Sequence, residues 1–537
     1  MLSSGSVRGV FVIAQNKLVS DRREGKPPDW FGNAELGNVG SGMEADVQVV
    51  IGIDSSTQST KALAVDVDSG AVLGEGRAAH TVSGGAGRES DPRQWWTALA
   101  EAVGGTGWAD RAAAVSVGGQ QHGLVTLDAD GEPVRPALLW NDVRSAPQAA
   151  ALVAEYGPEA WARRAGSVPG ASFTAAKWQW LREREPEAAA RTAAVRLPHD
   201  YLTERLTGVA ATDRGDASGT GWWTPDGYDQ ALLDRLGLAE DMLPPVVPAG
   251  KAAGTVLPGL PLRTGALVAA GTGDNLAAAL GLGLRPGVPV LSLGTSGTVY
   301  AVTRGRPTDP SGTVCGFADA LDAWLPLACT LNCTLAVDRV AALLGRDRQA
   351  VEPGGSAVVL PYFDGERTPN LPLASGLFHG LRQDTTPGQL LQAAYDGAAF
   401  SLLAALDQVL AAGGGAAEGS GGGPNSSSDG GSGGGSGGGS EQDGELLLIG
   451  GGARGAAWQQ TVLRLSGRPV RIPAAGELVA LGAAAQAAGL LTGERADEVA
   501  RRWRTWDGPL LEPVPRDTAA LERIADTLRR SGTLFES

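Results

Sequence analysis

Two segments far apart in the chain follow one plan, and that plan limits what the chain can fold into. Val47–Ile53 is rich in β-branched residues and fits a buried strand; the polar turn Asp54–Ser59 follows, and Lys61–Val67 reads as a second strand. Much later, Val288–Leu293 is an apolar strand, Gly294–Gly297 a small hydroxyl-bearing turn, and Thr298–Val302 a strand. Each is strand, hydroxyl-rich turn, strand. Either one architectural unit is used twice or two unrelated hairpins coincide. The duplication is the reading carried forward, and it puts a domain boundary near Leu284–Pro289. A chain of 537 residues is long enough for two cores, and its 43% of apolar residues can fill them.

The remaining punctuation fits an α/β chain. Asp68-Ser69-Gly70 is a turn into a third strand, Ala71–His80. Asp91 before Pro92 marks a helix start, and Ala112–Gly118 is a further strand. Residues 1–43 show no periodicity and are expected to be a poorly ordered extension, with Met43 a second candidate start. A Gly/Ser tract over 412–444 cannot form a core and is expected to loop out between a helix ending near Leu410 and a strand at Leu446–Ile449. The expected division is therefore 1–43, 44–286, 287–500 and a helical end at 501–537.

Charge and cysteine content narrow the function classes. A net charge of −15 argues against nucleic acid as the main partner, although backbone N–H groups can still hold an anion. Cys315, Cys329 and Cys333 are too few for a disulfide framework. Cys329 and Cys333, four apart, could share a helix face, and buried thiols are the reading preferred over a metal pair. No run approaches the ~20 apolar residues of a membrane span. A cytoplasmic protein without membrane partners is the expectation.

Four clusters can carry chemistry. In Asp54–Lys61, "DSSTQSTK", amides and hydroxyls suit phosphate oxygens, and a strand-end carboxylate suits hydrated Mg2+. Gly294–Gly297, "GTSG", occupies the equivalent place in the second unit. Gly450–Arg454, "GGGAR", lies between a strand and a helical stretch, where glycines allow backbone to approach a nucleotide. Gly271–Asn275, "GTGDN", puts Asp274 beyond the strand Ala266–Ala270, where a carboxylate can accept a hydroxyl proton or simply cap a helix. "GGQQHG" at Gly118–Gly123 and "LWNDVR" at Leu139–Arg144 add amide, imidazole and carboxylate groups suited to a polyol, while for His122 taken alone a structural role is the preferred reading.

These motifs occur together and in order with "LPHDYLTERLTG" and "LPYFDGERTP", and as a set they resemble the FGGY family of carbohydrate kinases from about Val47 to about Ala488. The resemblance implies an α/β protein of two ribonuclease-H-like (actin-like ATPase) domains flanking a catalytic cleft. It implies ATP and Mg2+, and a sugar acceptor: D-xylulose first, with ribulose, gluconate or glycerol as alternatives. By motif position Asp274 matches the catalytic base, Gln121 and His122 the substrate pair, and Asn275 a further sugar contact. Asp54 matches the carboxylate that supports Mg2+ and catalysis; Thr57, Thr295 and Ser296 match phosphate-loop residues; Gly451 and Gly452 match adenosine-side glycines. Two residues depart from the pattern. Ser56 stands where the family has Gly, with its amide expected to remain available, and Gln121 stands where the family has Met. A non-catalytic actin-like scaffold is the competing class, and a homodimer is left open.

Overall fold

The computed structural model describes residues 47–83, 87–414 and 444–535. The N-terminal extension and most of the Gly/Ser tract lie outside the described residues. From Val47 onward the chain forms one compact unit built on two seven-stranded sheets.

The first sheet grows from the first repeated segment. β1 (Val49–Ser55) pairs antiparallel with β2 (Ser59–Asp66), and β2 with β3 (Val72–Ala79). β4 (Ala112–Gly119) lies parallel to the other side of β1. Beyond it comes the edge, where β5 (Ala252–Thr255) is antiparallel to β6 (Leu267–Ala269) and β6 is parallel to β4. The seventh strand is the two-residue Thr272–Gly273, which pairs with Gly118–Gly119. β1 is buried on both faces, as its unbroken apolar sequence requires.

The second sheet repeats the pattern. β7 (Pro289–Leu293) and β8 (Gly297–Ala301) are the antiparallel hairpin. β9 (Cys315–Ala318) pairs with β10 (Trp324–Thr330), which pairs antiparallel with β8. On the other side of β7 lie β11 (Leu446–Ile449), parallel to it, then β12 (Val470–Arg471), parallel to β11, and β13 (Leu510–Leu511), antiparallel to β12. Read across either sheet from β3 or from β10, the pairings run antiparallel, antiparallel, parallel, parallel, antiparallel. The repeated hairpin of the sequence is therefore the centre of a repeated sheet. The copies differ at the rim: β9 extends the second, and the outer antiparallel strand precedes its partner in the first sheet but follows it in the second.

Helices seal the sheets. α1 (Pro92–Gly105) starts as the sequence indicates, with Asp91 accepting from the Arg93 N–H. α2 (Pro198–Thr207) packs on the first sheet, and α3 (Asp274–Gly281) begins at its strand ends. α4 (Pro387–Gly414) crosses the second sheet, followed by α5 (Ala456–Ser466) and α6 (Leu478–Thr492). α4 runs past the expected end near Leu410 because Ala411 and Ala412 continue a helix at no propensity cost. α6 is Ala-rich and almost wholly buried, packing against α3, β1 and β4. The approach is close enough that a Cβ on Gly482 would stand 1.8 Å from the Ala277 carbonyl oxygen. One apolar cluster thus runs from Val50 through Leu280 and Ala484 to Leu447, joining the two halves.

Cys329 and Cys333 do not share a helix face. Cys329 lies in β10 and Cys333 precedes the helix Thr334–Leu343, because the strand extends to Thr330 before the chain turns. Among the described residues all three cysteines are free thiols, and no helix is long and apolar enough to cross a membrane.

Candidate active site

β1, β4 and β6 are parallel, so their carboxyl ends meet at one edge of the first sheet. β1 delivers Asp54 there, β4 runs into Gln120–Gln121–His122, and the turn after β6 leads into Asp274 at the start of α3. In the second sheet β7 and β11 are likewise parallel, ending in the turns at Gly294 and Gly450. Between the two sets of strand ends opens a cleft of about 520 Å3. Asp54, Lys61, Asp274 and Asn275 line one wall, and Ser292, Tyr300, Gly450, Gly451 and Arg454 the other. The loop from Ile472 to Glu477 and the first turn of α6 close its floor.

The two carboxylates share one environment. Asp54 is buried and accepts from the Ser56 hydroxyl at 2.6 Å. Desolvation raises its pKa, opposed by that hydrogen bond and by Lys61. Asp274 is pushed up to about 7, first by desolvation and then by the charge of Asp54. Asn275 opposes the shift, its backbone N–H and side-chain amide donating to Asp274 Oδ1 at 2.8 and 3.0 Å. Asp274 is not the helix cap. Gly273 holds that position, and the Asp274 side chain occupies the first turn facing the cleft.

Gln121 and His122 adjoin this wall without lining the open cleft. Asn275 Nδ2 donates to Gln121 Oε1 at 2.8 Å. His122 has a positive φ of 62° and stacks on Phe173, with ring centres 5.5 Å apart, while Phe317 from the second sheet sits 5.2 Å from the imidazole. Burial and the charges of Lys177 and Arg367 push its pKa down to about 3, so the ring is neutral. Gln120 Oε1 and Nε2, Gln121 Nε2 and His122 Nδ1 are buried without a hydrogen-bond partner. Such a concentration of unpaired donors and acceptors is costly in a finished interior and suits a polar ligand or ordered water.

The phosphate-loop residues are less uniform. Thr57 Oγ1 accepts from the Trp140 indole at 3.1 Å and does not line the cleft. Ser56 does not hold its amide free, since that N–H donates to the Ser59 carbonyl at 3.0 Å. The turn is closed by its own backbone. Thr295 is exposed and Ser296 half-buried, on the tip of the hairpin whose flanking residues Ser292 and Tyr300 line the cleft. The glycines after β11 divide their work. Gly451 has open space where a Cβ would stand, while Gly452 is buried, its missing Cβ leaving room for Leu293 and Thr334 at 2.8 and 2.9 Å.

Three participants escaped sequence reasoning. Lys61 and Glu477 form an ion pair across the cleft, and Glu477 precedes α6 with a positive φ of 48°. A Gly-Glu pair before a long Ala-rich helix is the signal that marks it. Phe317 reaches His122 from the other half, and nothing local in the sequence announces that contact.

The fold and cleft define the class: a two-domain carbohydrate kinase of the actin-like ATPase kind. The family model for the N-terminal domain of the FGGY family of carbohydrate kinases matches residues 49–281, and that for its C-terminal domain residues 290–490. The chain is 65% identical over 498 residues to a xylulose kinase of Streptomyces coelicolor, covering 92% of this chain and 98% of that one. It is 64% identical to a xylulose kinase of Streptomyces rubiginosus over the same shares. The crystal structure of xylulose kinase from Bifidobacterium adolescentis superposes with a TM-score of 0.74 at 34% identity, covering 90% of this chain and 99% of that chain. The chain belongs to the FGGY family of carbohydrate kinases.

Proposed function

We propose that the protein is a xylulose kinase, transferring the terminal phosphoryl group of ATP to the primary 5-hydroxyl of D-xylulose in the cytoplasm. The observation that carries the reading is the juxtaposition at one cleft wall: a carboxyl group near neutrality at Asp274 beside a loop of unpaired amide and imidazole groups. The unpaired atoms of Gln120, Gln121 and His122 suit sugar hydroxyls, which need donors and acceptors together. The high identity to two xylulose kinases supports D-xylulose among the sugars.

In this reading ATP lies along the opposite wall, its phosphates near the turns at Gly294–Gly297 and Gly450–Gly451 and its adenosine toward the Ile472–Glu477 loop. Gln121, His122 and Asn275 hold the sugar so that the 5-hydroxyl points at the terminal phosphorus. Asp274 accepts the hydroxyl proton as the new O–P bond forms and the bond to the bridging oxygen of ADP breaks. The remaining residues exclude water, which would otherwise take the phosphoryl group.

Asp54, buried, and Asp274, half-buried, are two carboxylates on one cavity, each disfavoured as an anion by desolvation, so the wall suits a cation. Mg2+ is carried largely by phosphate and water and needs few protein ligands, and Asp54 would be its protein anchor. Bound Mg2+ supplies charge neutralisation on the phosphates.

The test is ADP release with D-xylulose, L-ribulose, gluconate and glycerol in parallel. D-xylulose is expected to give the highest kcat/KM. Equal or better turnover of another acceptor would overturn the assignment to xylulose.

A further inference from the structure

Behind the sugar loop lies a group of titratable residues that the mechanism above does not use. His199, on α2, is fully buried. Its Nε2 stands 3.3 Å from Asp200 Oδ1 and 3.5 Å from both Asp213 Oδ1 and Asp216 Oδ2. All three carboxylates are themselves buried. Asp200 is accounted for locally, because its Oδ2 accepts from the Leu197 N–H at the start of its own helix at 2.8 Å. Asp213 and Asp216 reach further. Asp213 caps the short helical turn Arg214–Ala217, accepting from the Gly215 and Asp216 N–H groups, Asp216 lies within that turn, and each also touches a different loop of the candidate site.

Asp216 Oδ1 accepts from the His122 backbone N–H at 3.4 Å. That N–H belongs to a residue with a left-handed backbone, a conformation that costs energy for a side chain other than glycine and persists only where the surroundings enforce it. Asp213 Oδ2 accepts from the Thr272 hydroxyl at 2.7 Å, in the strand that leads directly into Asp274. His199 fills the space between the two arms. A Cβ on Gly119 would stand 3.0 Å from the His199 Cβ, and one on Gly271 would stand 2.9 Å from His199 Nδ1, so both segments pack on His199 through glycine, Gly271 on the ring itself. Three buried carboxylates around one imidazole are a poor way to stabilise a core, since well-packed apolar residues of similar volume do as well or better. Asp216 also senses the site electrostatically: burial raises its pKa, and the charges of Asp213, Asp200 and Asp274 raise it further.

We propose that His199, Asp213 and Asp216 form a two-armed positioning device, in which Asp216 fixes the His122 loop and so governs sugar binding, while Asp213 and Thr272 fix the Asp274 turn and so govern turnover. The proposal rests on the roles given to His122 and Asp274 above. None of the three lines the cleft, so each acts through another residue. The two arms end on different functions, and removing them separately has different kinetic consequences. A cluster that merely stabilised the fold would not separate them.

The experiment is steady-state kinetics with D-xylulose and ATP on four variants, each checked by thermal unfolding. Thr272→Val removes the hydroxyl and keeps the shape; kcat is expected to fall about tenfold or more, with both KM values within threefold, and Thr272→Ser to restore kcat. Asp216→Ala removes the acceptor for the His122 N–H; KM for D-xylulose is expected to rise about tenfold, with kcat and the KM for ATP within threefold, and Asp216→Asn to recover most of it. If Asp216→Ala does not fold, the Thr272 pair decides alone. Wild-type kinetics in folded Thr272→Val would overturn the proposal, as would equal effects of both arms on kcat and on both KM values. Asp274→Asn run alongside separates the two levels. Full activity in that variant removes the site reading itself, whereas an inactive Asp274→Asn with a normal Thr272→Val removes only the positioning device.

Discussion

The two hairpins that open the two sheets share a backbone plan and differ in what they hold. At the end of β1 the chain carries Asp54 and turns its hydroxyls inward, with Ser59 and Thr60 buried and Ser56 bonded to the carboxylate. At the end of β7 no carboxylate is present, and Thr295 faces solvent while its carbonyl and that of Gly294 accept from the Leu335 and Thr334 N–H groups. The first copy concentrates negative charge in a low-dielectric wall; the second offers a tight, uncharged turn. In the proposed function, one copy of the strand–turn–strand unit borders the proton-handling wall and the other the phosphate-gripping wall. Duplication fixes where strand ends meet, and the residues at those ends decide the chemistry.

The largest expected asymmetry is in turnover. Asp274→Asn is expected to lower kcat at least a hundredfold with nucleotide affinity unchanged, as general-base catalysis contributes about 10²–10⁴-fold. Asp54→Asn should also be severe, but its defect should shrink with rising Mg2+ concentration, which an assay at several Mg2+ levels reads directly. In the second hairpin, Thr295→Val should raise the KM for ATP by a few-fold and leave kcat within threefold. A hundredfold loss of kcat there would erase the distinction between the two walls.

Stability gives a smaller effect of predictable sign. The folded-state pKa of Asp274 is raised from 3.8 to about 7, so the native state holds that proton more tightly than the unfolded chain. Stability from this group is present below pH 3.8 and is lost as pH rises through about 7. Asp274→Asn should therefore melt a few degrees higher than wild type at pH 8, with the difference vanishing near pH 4. A lower melting temperature at pH 8 would mean that the carboxylate is stabilised where it lies. The smallest effect belongs to the Gly/Ser tract: replacing 415–443 by a short turn should leave melting temperature and kcat almost unchanged, since closure entropy changes by only about 0.6 kcal/mol per doubling of loop length.

Sequence reading succeeded where the signal was local. The hairpins were legible because β-branched runs and polar turns alternate over a few residues; the pattern of "GTGDN" placed Asp274 beyond a strand end but by itself favoured a helix cap, a position that Gly273 holds. Spacing misled at Cys329 and Cys333, where four residues suggested a helical turn but span the end of β10 and a helix start. Composition could not divide Gly451 from Gly452, because only packing shows that one faces the cleft and the other Leu293. Long-range pairs were invisible. Lys61 meets Glu477, and Phe317 meets His122, only after α6 and β9 bring the two halves together.

The central claim is that Asp274 accepts the proton, with burial and Asp54 setting its pKa. The most direct measurement is kcat/KM for D-xylulose against pH, for wild type and Asp274→Asn. In wild type the value should fall tenfold per pH unit below about 7, because protonated Asp274 cannot act as a base. In Asp274→Asn the residual activity should be at least a hundredfold lower and lack that limb. Activity within threefold of wild type, with the same limb, in a variant that melts normally would contradict the account.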